Sequence, residues 1–192
     1  MRVVAGRYGG RRLEAPQGRN LRPTSERSRE ALFSILESGR RSEGRRLPQG
    51  ARVLDAFAGT GALGIEAFSR GAASVCFLEN AQESLTFLRR NLRGLEPSDA
   101  LQVKGADVLK PPVAPAPSDL VLMDPPYDRS LAAPALTALA DAGWIGPETL
   151  VVVETSNREL EHAPEGFILL DQRRYGRARL SFLRQDPVSL QD

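Results

Sequence analysis

A β-branched run that breaks into glycines and passes at once into a helix constrains this chain more than any other feature. Arg52-Val53-Leu54-Asp55-Ala56 reads as a strand, Phe57-Ala58-Gly59-Thr60-Gly61 as a tight turn, and Ala62-Leu63-Gly64-Ile65-Glu66-Ala67 as the start of a helix. The same alternation continues. A second strand is expected from Ser74 to Glu79, a helix from Ala81 to about Arg93 with Leu85, Leu88 and Leu92 on one face, and a third strand from Leu101 to Lys104. A proline-rich loop from Lys110 to Pro117 precedes a fourth strand, Leu120 to Met123. A helix from Ala132 to Ala142 and a fifth strand from Leu150 to Glu154 follow. Strands alternating with helices predict an α/β, doubly wound parallel sheet. Phe167 to Leu170 and Leu180 to Leu183 have no helix between them, so the last strands are expected to close the sheet antiparallel.

At 192 residues and 41% apolar composition, the chain suits one well-packed domain with a small appendage. No window approaches the ~18 consecutive apolar residues of a membrane span. Met1-Arg2-Val3-Val4 opens no apolar signal core, so a cytoplasmic protein is expected. The single cysteine, Cys76, and the single histidine, His162, lie far apart in sequence. They provide no disulfide, no Cys-rich metal site and no nucleophile pair. Cys76 reads as a buried strand residue and His162 as an exposed helix residue.

Charge is distributed unevenly. Through Arg46 there are twelve arginines against five glutamates, whereas the remainder holds fourteen basic and nineteen acidic residues. A basic arm on an acidic body points to a polyanionic partner. Within the arm, Tyr8-Gly9-Gly10-Arg11 lies between two short candidate strands, predicting a β-hairpin over Met1 to Pro16 from which Arg2, Arg7, Arg11 and Arg12 project. Pro23-Thr24-Ser25-Glu26 then caps a helix with Ala31, Leu32, Ile35 and Leu36 on its apolar face and Gly39 at its end. An aperiodic linker spans Arg40 to Gly50. The expected organisation is therefore a hairpin-and-helix extension over 1–46, a main domain over 47–185 and a tail over 186–192.

The fourth strand ends in Asp124-Pro125-Pro126-Tyr127. Proline has no N–H for a sheet ladder, so the strand stops there and the tetrapeptide sits on a strand-to-loop edge. In open α/β sheets that carboxyl edge is where ligands bind. A plain surface turn would use the same residues. The glycine turn narrows the choice. Gly59, Gly61 and Gly64 satisfy G-x-G-x-x-G, a pattern shared by several nucleoside sites. Asp55, four residues before Gly59, would repel a pyrophosphate but attract the cationic amino acid end of S-adenosylmethionine. Glu79, twenty residues after Gly59, is placed to reach a ribose hydroxyl pair.

With these motifs, the chain resembles the class I S-adenosylmethionine-dependent methyltransferases, and within them the bacterial 16S ribosomal RNA guanine-N2 methyltransferase family. The resemblance rests on Val3-Val4-Ala5-Gly6, Leu21-Arg22-Pro23-Thr24, Arg29-Glu30-Ala31-Leu32-Phe33, the run Leu54 to Gly64 and Asp124-Pro125-Pro126-Tyr127. It departs in Ala56, where a larger residue is common, and in the Lys110 to Pro117 insertion. It implies a Rossmann-like fold with a seven-stranded, mostly parallel sheet and an antiparallel C-terminal strand, and S-adenosylmethionine as cofactor. Asp55, Phe57, Ala58, Gly59, Thr60, Gly61, Glu79, Asn80, Asp107 and Val108 would hold that cofactor: Glu79 at the ribose, Asp107 at the adenine amine, and Asp55 with the Ala58 to Gly61 backbone at the methionine end. Asp124 and the Pro125 carbonyl would bind the hydrogens of an exocyclic amine, Pro126 would stiffen the loop and Tyr127 would stack on the target base. The resemblance implies 16S ribosomal RNA as partner, in a partly or fully assembled small subunit, with Arg2, Arg7, Arg11, Arg12, Arg22, Arg29, Arg173, Arg174 and Arg177 facing it. No metal is needed and a monomer is expected. An N6-adenine methyltransferase of DNA or RNA would use the same tetrapeptide, and a non-catalytic ribosome-assembly factor could keep the fold.

Overall fold

A computed structural model describes residues 1–16, 26–126, 130–156, 162–176 and 178–187. Its elements are α1 (Glu26–Glu37), β1 (Arg52–Ala56), α2 (Ala62–Ser69), β2 (Ser74–Glu79), α3 (Gln82–Leu92), a 3-10 turn (Ser98–Ala100), β3 (Leu101–Gly105), β4 (Leu120–Met123), α4 (Ala132–Asp141), β5 (Leu150–Ser156), β6 (Phe167–Tyr175) and β7 (Ala178–Gln185). The seven strands form one sheet in the order β3-β2-β1-β4-β5-β7-β6. β1 to β5 are parallel, and β7 runs antiparallel to both β5 and β6. The expected fold, including its single antiparallel strand near the C-terminus, is therefore met. The last two strands are longer than periodicity indicated because their polar ends, such as Gln172 and Arg173, continue the ladder.

The central strands are apolar on both faces, as parallel strands covered on both sides must be. Alternation along β1 sends Val53 into one cluster, with α1 through α3, and Leu54 and Ala56 into another, with α4 and Trp144. Leu32, Phe33 and Leu36 of α1 are buried with Leu180 and Phe182 of β7. Truncating a buried phenylalanine such as Phe33 to alanine costs about 3–5 kcal/mol. His162 is exposed but lies in a bend rather than a helix.

The N-terminal arm closes as the expected hairpin: the Val3 N–H donates to the Arg11 carbonyl at 2.9 Å, the Gly10 N–H to the Val3 carbonyl at 2.9 Å and the Leu13 N–H to the Met1 carbonyl at 3.0 Å. Arg2 and Arg12 form an antiparallel bridge, and residues between them also dock onto α2. Glu66, fully buried on α2, accepts the N–H of Val4 at 2.7 Å and of Ala5 at 3.0 Å. Ser69 Oγ accepts the Tyr8 N–H at 2.9 Å, and the Ser69 carbonyl accepts the Arg7 N–H at 2.7 Å. Gly6 makes this approach possible: its φ is +80° and a Cβ there would lie 2.0 Å from the Ser69 oxygen. Val3 and Leu13 share the apolar cluster of the sheet, so the arm is packed against the body. In the expected linker, Leu47 and Pro48 are likewise buried. The Leu21-Arg22-Pro23-Thr24 segment and the helix cap at Ser25 lie outside the described residues, as do 188–192 of the expected tail.

Candidate active site

Sheet register assembles the candidate site. Ala56 of β1 lies between Leu78 of β2 and Met123 of β4, and Glu79 lies opposite Gly105 of β3. Glu79, the last residue of β2, and Phe57, Asp107 and Asp124, which lie just beyond β1, β3 and β4, thus come together along one carboxyl edge. The strand order reverses direction between β1 and β4, which is the switch point where α/β sheets open a crevice.

The turn after β1 is built around unusual backbone. Phe57, Gly59 and Gly61 have φ of +62°, +55° and +85°. Gly61 bonds back to the Ala58 carbonyl at 2.7 Å and packs so tightly that a Cβ would lie 2.5 Å from Leu88 Cδ1. At Gly59 a Cβ would find only the Phe57 carbonyl, 4.0 Å away, so the outer face of the turn is open to close approach. Glu79 orders this turn from the neighbouring strand. Its Oε2 accepts the Gly59 N–H at 2.7 Å, while Oε1 accepts the Asn80 and Ala81 N–H groups at 2.9 and 2.8 Å. A carboxylate offers about four acceptor positions, so Oε2 retains capacity for a hydroxyl.

Asp55 plays a different part from the expected one. It is 1% exposed and points beneath the turn, where Oδ2 accepts the Gly64 N–H at 2.8 Å. Burial pushes its carboxyl well above the usual range. The Gly64 bond opposes this, and the charges of Asp124 and Glu79 reinforce it. Asp55 thus holds the first turn of α2 to β1 and supports the turn from below. Asp107 is exposed, with Oδ1 accepting the Leu109 N–H at 3.0 Å, and Val108 beside it is buried. Asn80 is exposed at the same edge. Asp124 is half-buried and Pro125 buried, whereas Pro126 is exposed. Tyr127 lies outside the described residues. Cys76 is half-buried in β2, and burial raises its thiol to about 11, which keeps it unreactive.

The basic residues divide into distinct groups. Arg12 and Arg174 are exposed, and Arg2 and Arg173 are exposed while paired with Glu26 and Asp171 at 3.0 and 2.9 Å. Arg7 and Arg11 turn back onto the body. Arg7 stacks over Tyr8 and Phe68 and donates to the Glu96 carbonyl, and Arg11 donates to the Arg93 carbonyl. Arg29 is not on the surface at all. It is 0% exposed and donates from Nη2 to the Arg2 carbonyl at 2.8 Å. Its guanidinium pKa is lowered by burial, partly offset by Glu66, Glu26 and Glu154. Arg29 therefore serves the arm from inside, and the RNA-facing place expected of it does not fit this position. Arg22 and Arg177 lie outside the described residues.

Three residues that hold the arm to the body carry no motif in the sequence: Glu66, Ser69 and Asn91. Asn91 had a usable signal, because it follows Leu85 and Leu88 at three-residue spacing on the buried face of α3.

A family model described as conserved hypothetical protein 95 matches residues 1–184. Ribosomal RNA small subunit methyltransferase D of Haemophilus influenzae is 34% identical over 182 residues, covering 92% of this chain and 89% of that protein. The protein of the same name from Escherichia coli K12 is 35% identical over 155 residues, covering 81% of this chain and 74% of that one. The solved structure of yhhF from Escherichia coli superposes with a TM-score of 0.79 at 31% identity, covering 97% and 98% of the two chains.

Proposed function

The chain belongs to the family described as conserved hypothetical protein 95, and on that footing we propose that it methylates small-subunit ribosomal RNA, using S-adenosylmethionine, at the N2 amine of a guanine. The observation that carries this reading is the alignment of Glu79, the open face of Gly59 and Asp124 on one sheet edge at the switch point. The fold is that of the Rossmann-like class I methyltransferases.

The residues present fit S-adenosylmethionine. The Oε2 lone pair of Glu79 suits a ribose hydroxyl, and the bare Cα of Gly59 lets a ligand lie against the turn. Asp107 offers an acceptor to an adenine amine. The phosphate-free ligand also suits a turn held by Glu79, whose carboxylate a pyrophosphate would meet. Bound there, S-adenosylmethionine supplies a methyl group on a positively charged sulfur.

The chain's own residues would prepare the acceptor. A guanine amine is a poor nucleophile because its lone pair is delocalised into the ring. The Asp124 carboxylate and the Pro125 carbonyl would accept its two hydrogens and turn the nitrogen lone pair toward the donor. Orientation of this kind contributes several kcal/mol to lowering a barrier. Asp124 or solvent would take the proton that the nitrogen sheds after transfer. Tyr127 would stack on the base, worth about 1–3 kcal/mol, and so help to offset the cost of drawing it from its neighbours. Arg12, Arg173 and Arg174 would meet RNA phosphates.

Incubating the protein with tritiated S-adenosylmethionine and small ribosomal subunits lacking the modification tests this reading. Label should enter the small-subunit RNA with wild-type protein and not with Asp124→Ala. Label in neither sample would overturn it.

A further inference from the structure

We propose that Asn91 is a positioning residue that couples the N-terminal arm to the glycine turn, so that the arm and the cofactor site are ordered together. This rests on the reading of that turn as the S-adenosylmethionine site.

Asn91 lies in the last turn of α3 and is 3% exposed. Its Nδ2 donates to the Thr60 carbonyl at 2.9 Å and to the Glu14 carbonyl at 3.0 Å, while its Oδ1 accepts the Glu14 N–H at 2.8 Å. Both amide hydrogens and the amide oxygen are therefore engaged. Because Glu14 presents a donor and an acceptor from a single residue, the amide can sit only one way round.

The two ends of this bridge lead to the two functional parts of the molecule. Glu14 follows Leu13, whose N–H closes the arm onto the Met1 carbonyl at 3.0 Å. Thr60 lies between Gly59, held by Glu79, and Gly61, held by the Ala58 carbonyl. Arg11 reinforces the arm end by donating to the Asn91 and Arg93 carbonyls. A continuous set of bonds thus runs from the arm through Asn91 and Thr60 to Gly59 and Glu79.

Packing alone would not call for this side chain. Asn91 shares the buried face of α3 with Leu85 and Leu88, where an apolar residue would pack as well. Removing the amide would strand three part-buried backbone groups at once: the Thr60 carbonyl and the N–H and carbonyl of Glu14. Displacing the arm therefore displaces the Thr60 carbonyl, and a ligand that fixes the turn fixes the arm. Such coupling is reciprocal.

The test compares wild type, Asn91→Leu and a control, Thr149→Val. Thr149 is buried at the amino end of β5, where its Oγ1 bonds the Ser118 carbonyl and the Gly146 N–H at 2.6 and 2.9 Å. It matches the loss of a buried polar group without touching the turn. Calorimetry should give Asn91→Leu a Kd for S-adenosylmethionine about tenfold above wild type. Thr149→Val should bind as wild type does. In hydrogen exchange, saturating wild type with S-adenosylmethionine should protect residues Val3 to Leu13 along with the turn, and in Asn91→Leu only the turn. A folded Asn91→Leu with wild-type Kd, or arm exchange in wild type that ignores the cofactor, overturns the proposal alone. Wild type that binds no S-adenosylmethionine overturns the reading of the turn and this proposal with it.

Discussion

Gly59 donates its N–H to Glu79 Oε2 at 2.7 Å, which makes the turn after β1 and the carboxylate at the end of β2 one unit. Removing that carboxylate should therefore cost twice, through the ligand contact and through the order of the turn. Glu79→Ala should raise the Kd for S-adenosylmethionine at least about tenfold, since bonds to a charged group contribute about 1.5–3 kcal/mol each. Glu79→Gln keeps one acceptor and should fall between. Calorimetry checks both, and unchanged binding in Glu79→Ala would remove this residue from the site.

Asp124 should separate binding from chemistry. It follows β4 rather than the glycine turn, so Asp124→Ala should abolish transfer while leaving the Kd for S-adenosylmethionine within a few-fold of wild type. A single-turnover transfer assay paired with calorimetry reads the two effects apart. Lost cofactor binding would move Asp124 out of the catalytic role.

The arm arginines should divide by what they touch. Arg7 and Arg11 bond backbone carbonyls near the end of α3, so replacing them with glutamine should lower Tm. Arg12 is exposed, and Arg12→Ala should leave Tm unchanged. If it meets a duplex phosphate, it should flatten the log–log salt dependence of RNA binding by about 0.9. Filter binding across a salt series, with thermal melts of each variant, distinguishes the groups. An unchanged slope in Arg12→Ala would take this residue off the RNA surface.

Asp55 should leave a mark on stability against pH. Burial raises its folded pKa above the unfolded value of about 3.9, so between the two values the native state holds a proton that the unfolded chain has lost. Its contribution is then fully present below the unfolded pKa and is lost as pH rises through the folded one. Asp55→Asn keeps an acceptor for the Gly64 N–H without this titration. Its stability relative to wild type should thus increase in urea melts as pH rises above about 4, until the folded carboxyl ionises. A constant difference would mean that Asp55 ionises as readily folded as unfolded.

Most of the sheet was legible because its signals are local. The apolar runs of β1, β2, β4 and β5 are bounded by glycines, acids or prolines, and register then follows from parallel pairing. What escaped depends on contacts distant in sequence. A carboxylate at a strand end reads alike whether it faces a ligand or, like Asp55, a helix turn nine residues on. The arm is the hairpin its sequence announces, but nothing near Gly6 in sequence announces that Ser69 will lie against it. Arg29 is the instructive case, since its spacing from Leu32, Phe33 and Leu36 puts it on the buried stripe of α1. Its charge pointed to solvent, and the acids and the Arg2 carbonyl that take it inside come from elsewhere in the chain.

The central claim, that an amine of small-subunit ribosomal RNA is methylated on this sheet edge, is tested most directly by mass-spectrometric nucleoside analysis of that RNA from a deletion strain, with and without the protein restored. The account predicts that N2-methylguanosine falls in the deletion strain and returns with wild-type protein but not with Asp124→Ala. An N2-methylguanosine content that is the same in all three would contradict it.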